Sequence, residues 1–139
     1  MLEQAQEAGL FFDDLHGYLK TKFNYKRKMG NLSPLNNNTI SINRNRVSMY
    51  LRYKPSNAVN RENMLVIARI EFEEQRKGHG TDFLKFLCKF SGKYKIQNIA
   101  LEQTNVSSSS FARKHGFKEL LKDYWVVSIS DLLINLNLE

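Results

Sequence analysis

Residues 64–72 read MLVIARIEF, residues 75–80 read QRKGHG and residues 81–90 read TDFLKFLCKF. The first is an apolar run of strand length, the second a glycine-punctuated turn, and the third carries apolar residues at helical spacing. A strand that feeds a glycine-rich turn and then a helix leaves backbone N–H groups unpaired at the positive end of the helix, where a phosphate or pyrophosphate can sit. Gly78 and Gly80 carry no Cβ, so the chain can pass close to such a ligand, at about 1 kcal/mol of helix propensity each. An ordinary strand-to-helix connection fits the same hexapeptide, and the six residues alone leave both readings open.

A second pattern follows. Asn105 stands eleven residues before Gly116, and residues 107–117, SSSSFARKHGF, read as a short capped helix. Ser107 or a neighbour serves as N-cap, Gly116 as the left-handed residue past the end, and Phe117 as the apolar residue beyond it. Gln75-x-x-Gly78-x-Gly80 followed by Asn105-x10-Gly116-Phe117 resembles the GNAT superfamily of acetyl-CoA-dependent N-acetyltransferases, over about residues 64–119. The resemblance implies one α/β domain over residues 1–139, with a mixed, mostly antiparallel sheet flanked by helices. It implies transfer of an acetyl group from acetyl-CoA to an amine by direct attack. The amides of Arg76, Lys77, Gly78, His79, Gly80 and Thr81, in the turn that Gln75 opens, would hold the pyrophosphate. The main chain from Ala68 to Phe72, Ile70 and Phe72 included, would pair with the pantetheine arm and the acetyl carbonyl. Asn105 would contact the pantetheine chain, and Phe111 and Lys114 would complete the cofactor site. One family element is missing: the tyrosine often found four residues before the glycine of the Gly-Phe pair, which protonates the departing thiolate, is replaced by Ala112. Another group does that work, or the thiolate leaves without a dedicated acid, or the protein binds without catalysing.

Composition agrees with a packed domain. At 139 residues the chain is long enough to bury about 68–70% of its unfolded surface. Its 42% apolar content, with nine Phe, six Tyr and one Trp, argues against disorder. The single cysteine, Cys88, lies on the apolar stripe of the helix after the turn and reads as core packing. No signal-peptide pattern and no apolar run near about 18 residues is found, so a soluble, cytoplasmic protein with no membrane partner is expected, as monomer or homodimer.

Charge is uneven. Ten basic and no acidic residues lie between Leu15 and Arg61, among them Lys20, Lys22, Lys26, Arg27, Lys28, Arg44, Arg46, Arg52, Lys54 and Arg61, so the formal net charge of +7 belongs to the N-terminal half. In GNAT-like folds that half helps form the acceptor side, and a field of this sign favours an acidic protein or tRNA as acceptor. A solvated basic face accounts for the same composition. A catalytically inactive binding module using that face is the alternative to an enzyme, and a tRNA-directed acetyltransferase is a third reading.

Apolar spacing predicts a helix over residues 3–25, a loop over 29–38, two antiparallel strands at 40–42 and 47–53 joined through 43–46, and a second loop over 55–63. Strand 64–72, helix 79–91, strand 96–103, the short helix to His115, strand 124–129 and a helical or extended tail at 132–138 follow, parallel pairing being confined to the strands that flank the first cofactor helix. Acetyl transfer to an amine needs a proton acceptor and a group to return a proton to sulfur. Glu71, near the end of the strand before the turn, and Tyr124, at the start of the last strand, are the candidates; the plainer readings are an exposed strand-end charge and a core tyrosine. Glu62 and Glu102 are further carboxylates, the latter dependent on strand register. His79 and His115 sit beside the cofactor motifs, where turn histidines are usually exposed, and His16 lies on a distant helix. No pair of residues has metal-ligand spacing.

Overall fold

Alternating apolar residues from Thr39 to Phe72 build a meander in the computed structural model of the chain, which describes residues 4–24, 31–32, 39–44, 46–54, 63–74, 77–102 and 104–138. The elements run α1 (Gln4–Phe23), β1 (Asn31–Leu32), β2 (Thr39–Asn43), β3 (Val47–Tyr53), β4 (Met64–Phe72), α2 (His79–Tyr94), β5 (Asn98–Leu101), α3 (Val106–Lys114), β6 (Lys118–Leu121), β7 (Tyr124–Ser128) and α4 (Ile129–Asn135). Seven strands form one sheet in the order β1-β2-β3-β4-β5-β7-β6, and only β4 and β5 pair in parallel. The parallel pair is joined through α2, the crossover such a connection requires.

The side chains that alternate onto one face of the sheet, from Ile40 and Met49 through Leu65 and Ile67 to Ile99 and Val127, merge with the buried faces of the four helices into one core. In α1, Phe11, Leu15 and Leu19 recur at four-residue spacing and are fully buried, each contributing about 1.5–3 kcal/mol. Three carboxylate contacts fix that helix in place. Glu7 meets Tyr53 and Lys54, Asp14 meets Tyr94 and Lys93, and Asp82 of α2 accepts from Tyr18 at 2.7 Å and Lys22 at 2.9 Å. Cys88 is buried as expected, and burial pushes its thiol up to about 11. The second face carries a small cluster of Met64, Val66 and Ala100, with Tyr124 and Val126 against it.

One irregularity positions everything that follows. Between β3 and β4 the register passes from Leu51↔Ile67 to Tyr50↔Arg69, which leaves Ala68 as an extra residue, a β-bulge. Before it Leu65 and Ile67 face the large core; after it Ile70 and Phe72 do. The bulge thereby sends Arg69 and Glu71 to the second face.

Several boundaries differ from expectation. α2 runs three residues past Ser91 to Tyr94, β5 is only Asn98–Leu101, and Ile129 opens α4 instead of closing β7. Within the expected loop 29–38 a two-residue strand, Asn31–Leu32, pairs with β2. The hairpin strand β6 was not expected: its four residues are all exposed, so they carry no alternation to read. The rest of that loop, the loop 55–62, Glu62, Gln75, Arg76, Lys26, Arg27, Lys28 and Arg61 lie outside the described residues.

Candidate active site

β4 and β5 stay paired from Met64↔Asn98 to Ile67↔Leu101, and one further bond, from Glu102 N–H to the Ile67 carbonyl at 3.0 Å, closes the parallel ladder. Beyond it β4 continues for five residues to Phe72 while β5 has ended, so the two strands part. Along a strand, the face a side chain takes fixes the edge its own N–H and C=O take. Ile67 faces the core and turns its carbonyl toward β5; past the bulge, Ile70 and Phe72 share that face and turn their backbone groups into the split. The opposite edge is occupied, since Ser48 pairs with Glu71, and Glu73 N–H donates to the Arg46 carbonyl at 3.0 Å.

The mouth of the split is the start of α2. Gly78 is the N-cap, in the left-handed region at φ 78°, and no side chain caps the helix. Its carbonyl accepts from Asp82 N–H at 2.9 Å, which leaves the amides of His79, Gly80 and Thr81 as the unpaired first turn. Their donors and the helix dipole make this end suited to an anion. Lys77 is exposed beside it. The His79 ring packs 5.3 Å from the rings of both Phe23 and Phe72, and its Nδ1 is buried with no hydrogen-bond partner among the described residues.

α3 forms the other wall. Asn105 is its N-cap in a reciprocal capping box: Asn105 Oδ1 accepts from Ser108 N–H and Ser108 Oγ accepts from Asn105 N–H, both at 2.9 Å. The cap is thus Asn105 and not Ser107, and the carbonyl oxygen of the Asn105 amide is committed to the helix. The helix ends as expected, with Gly116 at φ 81° and with bonds from Gly116 N–H to the Arg113 carbonyl and from Phe117 N–H to the Ala112 carbonyl. Phe111 lies against α2: a Cβ on Gly80 would stand 2.8 Å from Phe111 Cε1. Lys114 is exposed on the last turn. His115 corrects the expectation of an exposed turn histidine. It is 5% exposed, its Nε2 lies 3.0 Å from Thr81 Oγ1, and its carbonyl accepts from Asn135 Nδ2 at 2.9 Å. Burial, helped by the charge of Lys114, lowers its pKa. Ala112, at the position of the missing tyrosine, is fully buried in the core.

On the second face, at the apex of the split, a cleft of about 480 Å³ is lined by Arg52, Glu102, Thr104, Lys122, Asp123 and Tyr124. Arg52 reaches from β3 across β4 to ion-pair with Glu102, which settles the register question for that carboxylate. Thr104 Oγ1 accepts from both Ser109 Oγ at 2.8 Å and Trp125 Nε1 at 3.1 Å, tying the loop after β5 to α3 and β7. The Tyr124 hydroxyl donates to Met64 Sδ at 3.7 Å, at the start of β4 and away from the split. Glu71 is exposed on β4 beyond the bulge. Reasoning from sequence missed Arg52, Lys122 and Asp123 as neighbours of this site; Arg52 and Glu102 are fifty residues apart, and no local pattern links them. Among the described residues no group of His, Cys, Asp and Glu is arranged to hold a metal ion, and no helix is long and apolar enough to cross a membrane.

No protein-family model and no curated protein sequence matches the chain. Solved structures match its fold. AtaTR, solved with acetyl-CoA bound, is 14% identical over 69% of this chain and 68% of its own, with a TM-score of 0.51. Elp3 of the archaeon Methanocaldococcus infernus is 13% identical over 81% of this chain, with a TM-score of 0.50, and this chain spans only 33% of that protein. A GNAT-family acetyltransferase from Staphylococcus aureus Mu50 is 14% identical over 92% of this chain and 96% of its own, with a TM-score of 0.49.

Proposed function

We propose that this chain, which has the fold of the GNAT acetyltransferases, transfers an acetyl group from acetyl-CoA to an amine. The observation that carries the proposal is the parting of β4 from β5 with the uncapped turn of α2 at its mouth. An extended, hydrogen-bonding arm fits the open edge of Ile70 and Phe72, and a pyrophosphate fits the free amides of His79, Gly80 and Thr81, with Lys77 beside them and Gln75 and Arg76 preceding them in the turn. Phe111 and Lys114 bound the same site from α3, and Asn105 shapes it by capping that helix. Acetyl-CoA bound there supplies an activated thioester carbon, to which the amine nitrogen bonds as the carbon–sulfur bond breaks. The backbone of the bulged strand holds the carbonyl in line for attack and bonds to its oxygen, which is where most of the rate arises in such a site.

Proton handling falls to the second face. Glu71, exposed on β4 beyond the bulge, takes the proton lost by the amine through intervening water, while Glu102 is engaged by Arg52. Returning a proton to the thiolate requires Tyr124 to swing from Met64 toward the apex. The buried Ala112 favours a second reading, a module that binds CoA without transfer, because it removes the family's usual acid. Release of free thiol from acetyl-CoA in the presence of an amine panel separates the two. Acceptor-dependent thiol release, reduced at least tenfold in Glu71→Gln and in Tyr124→Phe, supports the enzyme. Tight CoA binding with no thiol release from any amine supports the module.

A further inference from the structure

The apex cleft has a charge pattern that selects among amines. Arg52 and Glu102 compensate each other, yet the Arg52 side chain remains 39% exposed and uses one nitrogen for the pair. Lys122 and Asp123, adjacent in the turn between β6 and β7, have no ion-pair partner among the described residues, and Asp123 N–H donates to Glu119 Oε2 at 3.0 Å, which brings a further carboxylate to the turn. The four lining side chains offer both signs within one cleft of about 480 Å³, a volume suited to a small molecule.

A nucleic acid needs a cationic surface, and of the basic excess of residues 15–61 only Arg52, among the described residues, lines this cleft. Of the six described members of that excess, Lys22, Arg52 and Lys54 are ion-paired and Arg46 donates to the Phe23 carbonyl. A polyamine carries no acid group for Lys122 and Arg52 to bind. We propose that the acceptor is a small zwitterionic amine of the amino-acid type, its ammonium group at Glu102 and Asp123 and its acid group at Lys122 and Arg52. The orientation rests on the acetyl-transfer reading: Glu102 N–H closes the apex of the split, where the acetyl group would lie, so the amine belongs at the Glu102 end.

The test is saturation-transfer NMR on the full chain with CoA present. The probes are a mixture of free α-amino acids, the same acids as methyl esters, spermidine and a short single-stranded RNA. Dissociation constants are then measured for the strongest amino acid and its ester. Because a hydrogen bond between charged groups is worth about 1.5–3 kcal/mol, the free acid should bind about tenfold or more tightly than its ester. Lys122→Gln, at an exposed turn position, should bring that ratio to within about threefold, and Asp123→Asn should weaken acid and ester alike. Equal affinity for acid and ester, preference for spermidine or RNA, or no binding of any probe overturns the proposal. CoA affinity is measured separately by calorimetry. CoA binding without amino-acid preference defeats this inference alone, whereas amino-acid binding without CoA binding defeats the acetyl-transfer reading and leaves the cleft assignment standing.

Discussion

Gly80 answers to two demands. The sequence suggests that it is glycine for a phosphate, but the Phe111 ring also occupies the place of its Cβ. Gly80→Ala should therefore lower the melting temperature as well as CoA affinity, and Phe111→Leu in the same chain should recover part of the stability. Gly78 differs, with open space around it and φ at 78°. Gly78→Ala should cost about 1–2 kcal/mol of backbone strain, and Phe111→Leu should not relieve it. Denaturant melts of the four variants check both statements. His115 provides a pH signature. Its folded pKa is lowered by burial, so the unfolded chain binds its proton first; the stability it contributes is present above the ordinary imidazole value and is lost as pH falls through that value toward the lowered one. Stability should decline from pH about 7.5 to about 5.5 in the native sequence and less steeply in His115→Gln. A histidine after a capped helix carries no signal of burial. The Thr81 hydroxyl that holds it is thirty-four residues away.

At the scale of elements, the bulge at Ala68 decides which backbone groups face the split. Its trace lies in the apolar pattern, where Leu65 and Ile67 occupy odd positions and Ile70 and Phe72 even ones, a change of phase that an unbroken strand cannot carry. Ile70→Pro removes an N–H that points into the split, whereas Glu71→Pro removes one that serves the β3 edge. The first should weaken CoA binding about tenfold or more with a modest loss of melting temperature; the second should destabilise the fold by about 3 kcal/mol. Calorimetric titration and thermal melts on both variants separate these outcomes, and the same loss from both would mean that Ile70 does not face the ligand. Elements whose residues are half buried were legible: α1, β2, β3, β4 and α2 were found within a few residues of their ends. β6 was not, because Lys118, Glu119, Leu120 and Leu121 are all exposed on an edge strand and nothing selects an alternation.

At the scale of the whole molecule, three of the described basic residues between 15 and 61 serve the fold, while the net charge of +7 already counts their acidic partners. Lys22 and Lys54 hold α1 against α2 and β3, and Arg52 gives one nitrogen to Glu102. Replacing Lys54 by Met should accordingly act on stability, by about 1 kcal/mol through the lost pair with Glu7, which keeps its Tyr53 contact, more than on any acceptor. The fold itself was carried by two short motifs, since a strand, a glycine turn, a helix and a second capped helix in that order admit few arrangements. The acceptor cleft was not legible, because it is assembled from β3, the end of β5 and the β6–β7 turn, which meet only in three dimensions. The most direct test of the central claim is amide hydrogen exchange with and without acetyl-CoA. Ile70, Phe72, His79, Gly80 and Thr81 should gain protection together, and global stability should rise by about 2.7 kcal/mol at a ligand concentration of 100 Kd. No stabilisation at about millimolar ligand, or protection confined to amides outside the split and the α2 turn, would contradict it.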